Sequence, residues 1–186
     1  MLPGRREFIL LAAALLGRAH AQPGDDAMAD RLRAGRCALL WRHAQTTPGI
    51  GDPPGFRIDQ CSTQRNLSET GRAQARAAAE WFRARGLAPR AVRSSAWCRC
   101  KDTADLAFGS HALWTPLNSS FGRAEVAADN RQLLMDGLAR IPAGAFEAWV
   151  THQVNITGFT GEPVAMGEAV VVDRAGRVVA RGGFGA

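Results

Sequence analysis

The sequence predicts a three-layer α/β/α sandwich built on a mostly parallel, mixed sheet. Three observations predict it. Short apolar runs alternate with amphipathic helical segments, the pattern of a sheet covered by helices on both faces. The first run, Cys37-Ala38-Leu39-Leu40-Trp41, is continuously apolar, as a strand buried on both faces must be. Near the C-terminus, Ala169 to Asp173 and Arg177 to Ala180 are β-rich runs separated by Arg174-Ala175-Gly176, a hairpin turn that brings antiparallel strands into the sheet.

The remaining elements follow in order. Residues 22–30 are polar with Pro and Gly and read as a flexible lead-in to a single domain over 31–186. Three prolines and three glycines make Thr47 to Gly55 a loop. Ser68 can cap a helix from Glu69 to Arg85, with Ala73, Ala77 and Trp81 on one face, Ala78 and Phe82 beside it, and Gly86 as the left-handed stop. A short strand at Ala91 to Arg93 leads through Ser94-Ser95 into a helix of about ten residues ending near Phe108. Leu133, Leu134 and Leu138 indicate a helix from about Asn130 to Arg140, stopped before Pro142. Phe146 to Thr151 is a strand running into His152.

Composition narrows the function. The 186 residues are 46% hydrophobic and 22% charged, suited to one globular domain rather than to a disordered chain. The formal net charge of +6 is almost all guanidinium, with Lys101 the only lysine, and it is spread along the chain. A nucleic-acid binder concentrates its charge on one face or element, so no nucleic-acid partner is expected. Residues 1–21 carry a basic start, an apolar run from Phe8 to Leu16 and Ala19-His20-Ala21, the pattern of a cleaved signal peptide. Gly4-Arg5-Arg6-Glu7-Phe8-Ile9 resembles a twin-arginine signal, and a periplasmic or secreted location is expected. The run is shorter than the roughly 20 residues a spanning helix needs, so no integral membrane segment is expected. Of Cys37, Cys61, Cys98 and Cys100, the first lies in the apolar run; one disulfide is expected, from Cys61 to either Cys98 or Cys100. Cys98-Arg99-Cys100 has too short a spacing for a zinc site, and no metal is expected.

Ligands of open α/β sheets bind beyond the C-terminal ends of the strands. Those ends carry Arg42-His43, Ser94-Ser95 leading to Arg99, and His152. Guanidinium groups bind phosphate oxygens bidentately, and imidazole can act as nucleophile or donor. The combination predicts a phosphate pocket with a histidine nucleophile. Arg57 and Arg65, in the excursion after the first strand, are candidate substrate-binding residues at its mouth, with the 49–55 loop above as a lid.

Four segments, in order, resemble the blocks of the histidine phosphatase superfamily, the phosphoglycerate mutase-like group. Leu40-Trp41-Arg42-His43-Ala44 is similar to its Arg-His-Gly block, and Asn66-Leu67-Ser68-Glu69-Thr70-Gly71 to the segment opening its first helix. Ser94-Ser95 with Arg99 and Thr103-Ala104 resembles the block of its second arginine, and Val150-Thr151-His152 the strand ending in its second histidine. The resemblance implies that His43 attacks phosphorus, that Arg42, Arg99 and His152 hold the phosphoryl oxygens, and that neither cofactor nor metal takes part. The substrate would be a small phosphorylated molecule or a phosphoprotein.

Two positions depart from the pattern. Ala44 stands where the family has glycine, which requires a backbone with negative φ there. Leu117-Asn118-Ser119-Ser120-Phe121-Gly122 stands where members acting on ordinary phosphate esters carry the glutamate that protonates the leaving group. Glu125 and Asp129 are the nearby carboxylates, and nothing in the pattern selects either. The expected activity therefore favours good leaving groups. The alternative is a catalytically impaired phosphate-binding or anion-binding module of the same fold.

Overall fold

A computed structural model describes residues 23–184, apart from the side chains of residues 23–26, 124 and 125. The expected signal segment 1–21 lies outside the described residues. A six-stranded sheet runs in the order β3 (Ala112–Leu113), β2 (Ala91–Ser94), β4 (Phe146–Thr151), β1 (Cys37–Arg42), β5 (Ala169–Asp173), β6 (Val178–Gly182). The strands from β3 to β1 are mutually parallel, and β5 pairs antiparallel to both β1 and β6. The mixed, mostly parallel sheet is as the sequence predicts.

Strand alternation divides the core. Leu39, Trp41, Val150 and Val171 point to one face, packed with Met28 and Leu32 of α1 (Pro23–Ala34), Ala78 and Phe82 of α2 (Glu69–Ala84), and Ala104 of α3 (Cys98–Phe108). Leu40, Trp149, Val170 and Val172 point to the other, with Leu134 and Leu138 of α4 (Ala124–Ala139) and Ile156 of α5 (Gln153–Thr160). Both central strands are buried, and their backbone groups pair on both edges.

Several local expectations need correction. Residues 23–34 form helix α1 where a flexible lead-in was expected; Met28, Ala29 and Leu32 are at most 1% exposed, and the spacing of these three was the missed helical signal. In α2 the buried stripe is Gly71, Ala75, Ala78 and Phe82 with Trp81 beside it, the three-and-four spacing of one helical face, while Ala73 is exposed and Ala77 only partly buried. Helix α4 starts about six residues earlier than expected and has no side-chain N-cap to announce it. Helix α5, directly after His152, also lacks a side-chain cap.

Of the described glycines, Gly71 has the least room for a side chain. A Cβ there would lie 1.9 Å from the carbonyl oxygen of Gln45, so the first turn of α2 presses directly on the chain leaving β1. Ser68 caps that turn, accepting from Gly71 N at 3.1 Å while its own N–H donates to Gln45 O at 3.0 Å. Gly to Ala in a helix ordinarily gains up to about 1 kcal/mol. Here Gly71→Ala is expected to lose about 1–3 kcal/mol through overpacking against backbone. A lowered Tm checks it, and a raised Tm would refute it.

Candidate active site

Three strand ends build the site. At the end of β1 the ladder continues one residue further, with His43 N–H donating to Thr151 O at 3.0 Å; at the end of β2, Ser95 N–H donates to Val150 O at 3.0 Å. His43, Ser95 and His152 are thereby held on one edge of the sheet. The two imidazoles sit edge to face with centroids 5.5 Å apart, and both residues are buried.

The tautomer of His43 follows from its partner. Nδ1 lies 2.9 Å from the Ala44 carbonyl oxygen, which can only accept, so Nδ1 carries the proton. Nε2 of the neutral ring therefore holds the free lone pair. Ala44 fits because the only non-glycine residue with positive φ among the described residues is Arg36. Its N–H donates to Thr103 Oγ1 at 3.0 Å, and the same hydroxyl donates to Arg99 O at 2.7 Å, tying the His43–Ala44 segment to α3.

Three guanidinium groups converge. Arg42 donates from Nη1 to Val164 O at 2.8 Å, Arg65 from Nη1 to Thr46 Oγ1 at 2.7 Å and Gly49 O at 2.9 Å, and Arg99 from Nη1 to Asp52 Oδ1 at 2.7 Å. Each is thus anchored through one terminal nitrogen, and each keeps a buried Nε–H with no hydrogen-bond partner. Buried donors of this kind are ordinarily satisfied. Of the two candidate arginines in the excursion, Arg65 joins the cluster. Arg57 does not: its side chain is 62% exposed and pairs with Asp59.

The carboxylate in contact with these arginines is Asp52, from the 47–55 loop, which sequence reasoning passed over. The 117–122 stretch, where the glutamate was sought, brings Asn118 to the site: its Oδ1 accepts from Ala96 N–H at 2.8 Å and lies 3.3 Å from Ser95 Oγ. Ser95 Oγ is also 2.9 Å from His152 Nε2. Of the two carboxylates considered from sequence, Asp129 is exposed on α4, and the side chain of Glu125 lies outside the described residues. A disulfide links Cys61, at the end of the loop excursion, to Cys98, at the start of α3. Closing a loop with a separation of 37 residues is worth about 4 kcal/mol on the chain-entropy account. Cys37 and Cys100 are free and buried; burial pushes the Cys100 thiol up to about 12, which keeps it inert although it lies 3.5 Å from His152 Nε2. Among the described residues no group of His, Cys, Asp and Glu could hold a metal ion.

Electrostatics keep both imidazoles neutral. Burial pushes His43 down to about 3, and the nearby guanidiniums of Arg99, Arg42 and Arg65 add to that against the bond to Ala44. Burial, then His43 and the same arginines, holds His152 well below its usual range. In the unfolded chain both titrate near 6.5, so below that pH the unfolded state binds more protons. Stability is expected to be flat in this respect above about pH 6.5 and to fall as pH drops from there toward 3. Asp52, held below the usual carboxylate range, adds its own loss only near and below pH 4. Thermal melts from pH 7.5 to 4.5 check this: His43→Gln should flatten the slope, and parallel curves for variant and parent would refute it.

The sequence profile of the histidine phosphatase superfamily (branch 1) matches residues 38–179. The chain belongs to this superfamily. Among solved structures, the histidine phosphatase fold here is similar to TTHB049 from Thermus thermophilus, at 22% identity and TM-score 0.56, covering 78% of this chain and 97% of that one. It is also similar to a mycobacterial glucosyl-3-phosphoglycerate phosphatase, at 20% identity and TM-score 0.55, covering 74% and 89%. A protein of Agrobacterium tumefaciens assigned as the phosphohistidine phosphatase SixA matches at 20% identity and TM-score 0.51, covering 74% and 91%. No curated protein sequence matched. These likenesses establish the fold, and membership of the superfamily supports phosphatase-type chemistry.

Proposed function

We propose that this chain is an exported, metal-independent phosphatase that works through a phosphohistidine on His43 and favours good leaving groups. The observation that carries the proposal is the buried, neutral His43 ring, protonated on Nδ1, with three guanidinium groups around it.

The proposed cycle has two displacements. The His43 Nε2 lone pair attacks phosphorus, the N–P bond forms, and the bond to the leaving oxygen or nitrogen breaks with its electron pair going to the leaving group. Arg42, Arg65 and Arg99 neutralise charge on the equatorial oxygens through their unpaired N–H groups. Because Nε2 of His152 faces Ser95, its Nδ1 is the nitrogen left to a phosphoryl oxygen. Water then attacks phosphorus, the N–P bond breaks back to neutral His43, and the water proton leaves with phosphate or solvent. No deprotonation of the nucleophile is needed, since the ring is already neutral at working pH.

Leaving-group preference rests on Asn118, which cannot protonate an alkoxide. Phosphohistidine, acyl phosphate and phosphoanhydride substrates meet that limit. Export rests on residues 1–21 alone, and its check is where the full chain accumulates in a fractionated host. Among the described residues no helix is long and apolar enough to cross a membrane.

A labelled energy-rich phosphate donor mixed with the protein and quenched rapidly should leave acid-labile phosphate on the chain, and none on His43→Ala. Asn118 also favours a second reading, an anion-binding module. Phosphate binding without label on the parent protein would select it.

A further inference from the structure

Asp52 is the unexpected member of the site. It comes from a loop of irregular backbone, yet its side chain is 7% exposed and that of its partner Arg99 is 5% exposed. The three acceptor directions it uses are taken by three different residues. Oδ1 accepts from Arg99 Nη1 at 2.7 Å and from the Arg65 backbone N–H at 3.0 Å, and Oδ2 accepts from the indole Nε1–H of Trp97 at 2.9 Å. It therefore ties the loop to the start of α3, through Trp97 and Arg99, and to the backbone of Arg65.

Its charge matters as much as its bonds. With both imidazoles neutral, Arg42, Arg65 and Arg99 bring three positive charges and Asp52 removes one. The remainder matches a phosphoryl dianion. Without the carboxylate the cluster would carry three charges, which favours more highly charged anions and slows loss of phosphate.

We propose that Asp52 is a built-in counter-anion: a positioning residue that commits Arg99 Nη1, leaves its Nε–H for the ligand, and sets the pocket's charge to select a phosphoryl dianion over more highly charged groups. The inference rests on the pocket being an oxyanion site, the reading above. It does not depend on turnover.

The test is the binding of inorganic phosphate and of pyrophosphate, by calorimetry at pH 7.5 and 0.15 M salt, to the parent protein and to three variants. D52N keeps an oxygen for Arg99 and removes the charge; D52S removes charge and bulk; D52E keeps the charge on a longer stem. Both neutral variants are expected to bind phosphate about 10-fold tighter, and pyrophosphate tighter by a larger factor, so that the preference for phosphate over pyrophosphate falls. D52E should keep the parent's preference. A loop clasp without an electrostatic role would lower Tm and leave the preference unmoved. Neutral variants with unchanged or weaker phosphate binding overturn the proposal, as does an equal gain in D52E, or failure of both neutral variants to fold while D52E folds. Phosphate binding by none of the four proteins would overturn the oxyanion site itself, whereas absence of label on His43 with the binding pattern intact would overturn only the phosphatase.

Discussion

Replacing His43 with alanine is expected to lower kcat by about 10³-fold or more while leaving phosphate binding largely in place. The two effects separate because they draw on different atoms. Turnover in the proposed cycle needs the Nε2 lone pair, which no neighbour can replace: His152 Nε2 is committed to Ser95, and Cys100, the nearby thiol, is held protonated by burial. Binding in the proposed pocket draws on Arg42, Arg65 and Arg99, whose anchors on Val164, Thr46, Gly49 and Asp52 do not involve His43. Phosphate at millimolar concentration should therefore still raise the Tm of the variant. Steady-state rates with an acyl phosphate, beside melts with and without phosphate, check both halves. Residual turnover within tenfold of the parent would remove His43 from the mechanism.

The parts of this site that were legible in the sequence share one property. Arg42-His43 and His152 each end an apolar run long enough to be a buried strand, and parallel strands bring their C-terminal ends to one edge without further information. Arg99 was legible through its place four residues after Ser95. What stayed hidden depends on irregular backbone. Arg57 and Arg65 flank the same loop and look alike in sequence; Arg65 is held in the cluster by its bonds to Asp52, Thr46 and Gly49, while Arg57 pairs with Asp59 at the surface. Asp52, among prolines and glycines, has no periodicity from which its direction could be read. The sequence offers Cys61 both Cys98 and Cys100, because residues two apart at the start of a helix point in different directions and only the packing of α3 tells which faces the loop. Helix α1 was missed for a plainer reason: its polar first turn outweighed Met28, Ala29 and Leu32, which find their partners on β-strands far along the chain.

A second large effect concerns the leaving group. Aryl or acyl phosphates are expected to be hydrolysed about 10²- to 10⁴-fold faster than simple sugar phosphates, the range that a positioned general acid contributes. The 117–122 stretch holds no carboxyl group to protonate a departing alkoxide, and its Asn118 spends its carbonyl on the Ala96 N–H. An amide has no proton to transfer at neutral pH. Asp52 does not substitute for it: burial alone would raise its carboxyl, but the hydrogen bonds from Arg99, Arg65 and Trp97 win and keep it ionised. A series of substituted phenyl phosphates gives the sharpest measurement, because without an acid the logarithm of kcat/KM must fall steeply as leaving-group pKa rises. The steepness also separates the phosphoryl-transfer step from release of phosphate, which is common to every substrate in the series. A flat dependence with equal rates on an alkyl phosphate would mean that a proton reaches the leaving oxygen after all, and a mutational search for its donor would then begin with Glu125 and Asp129.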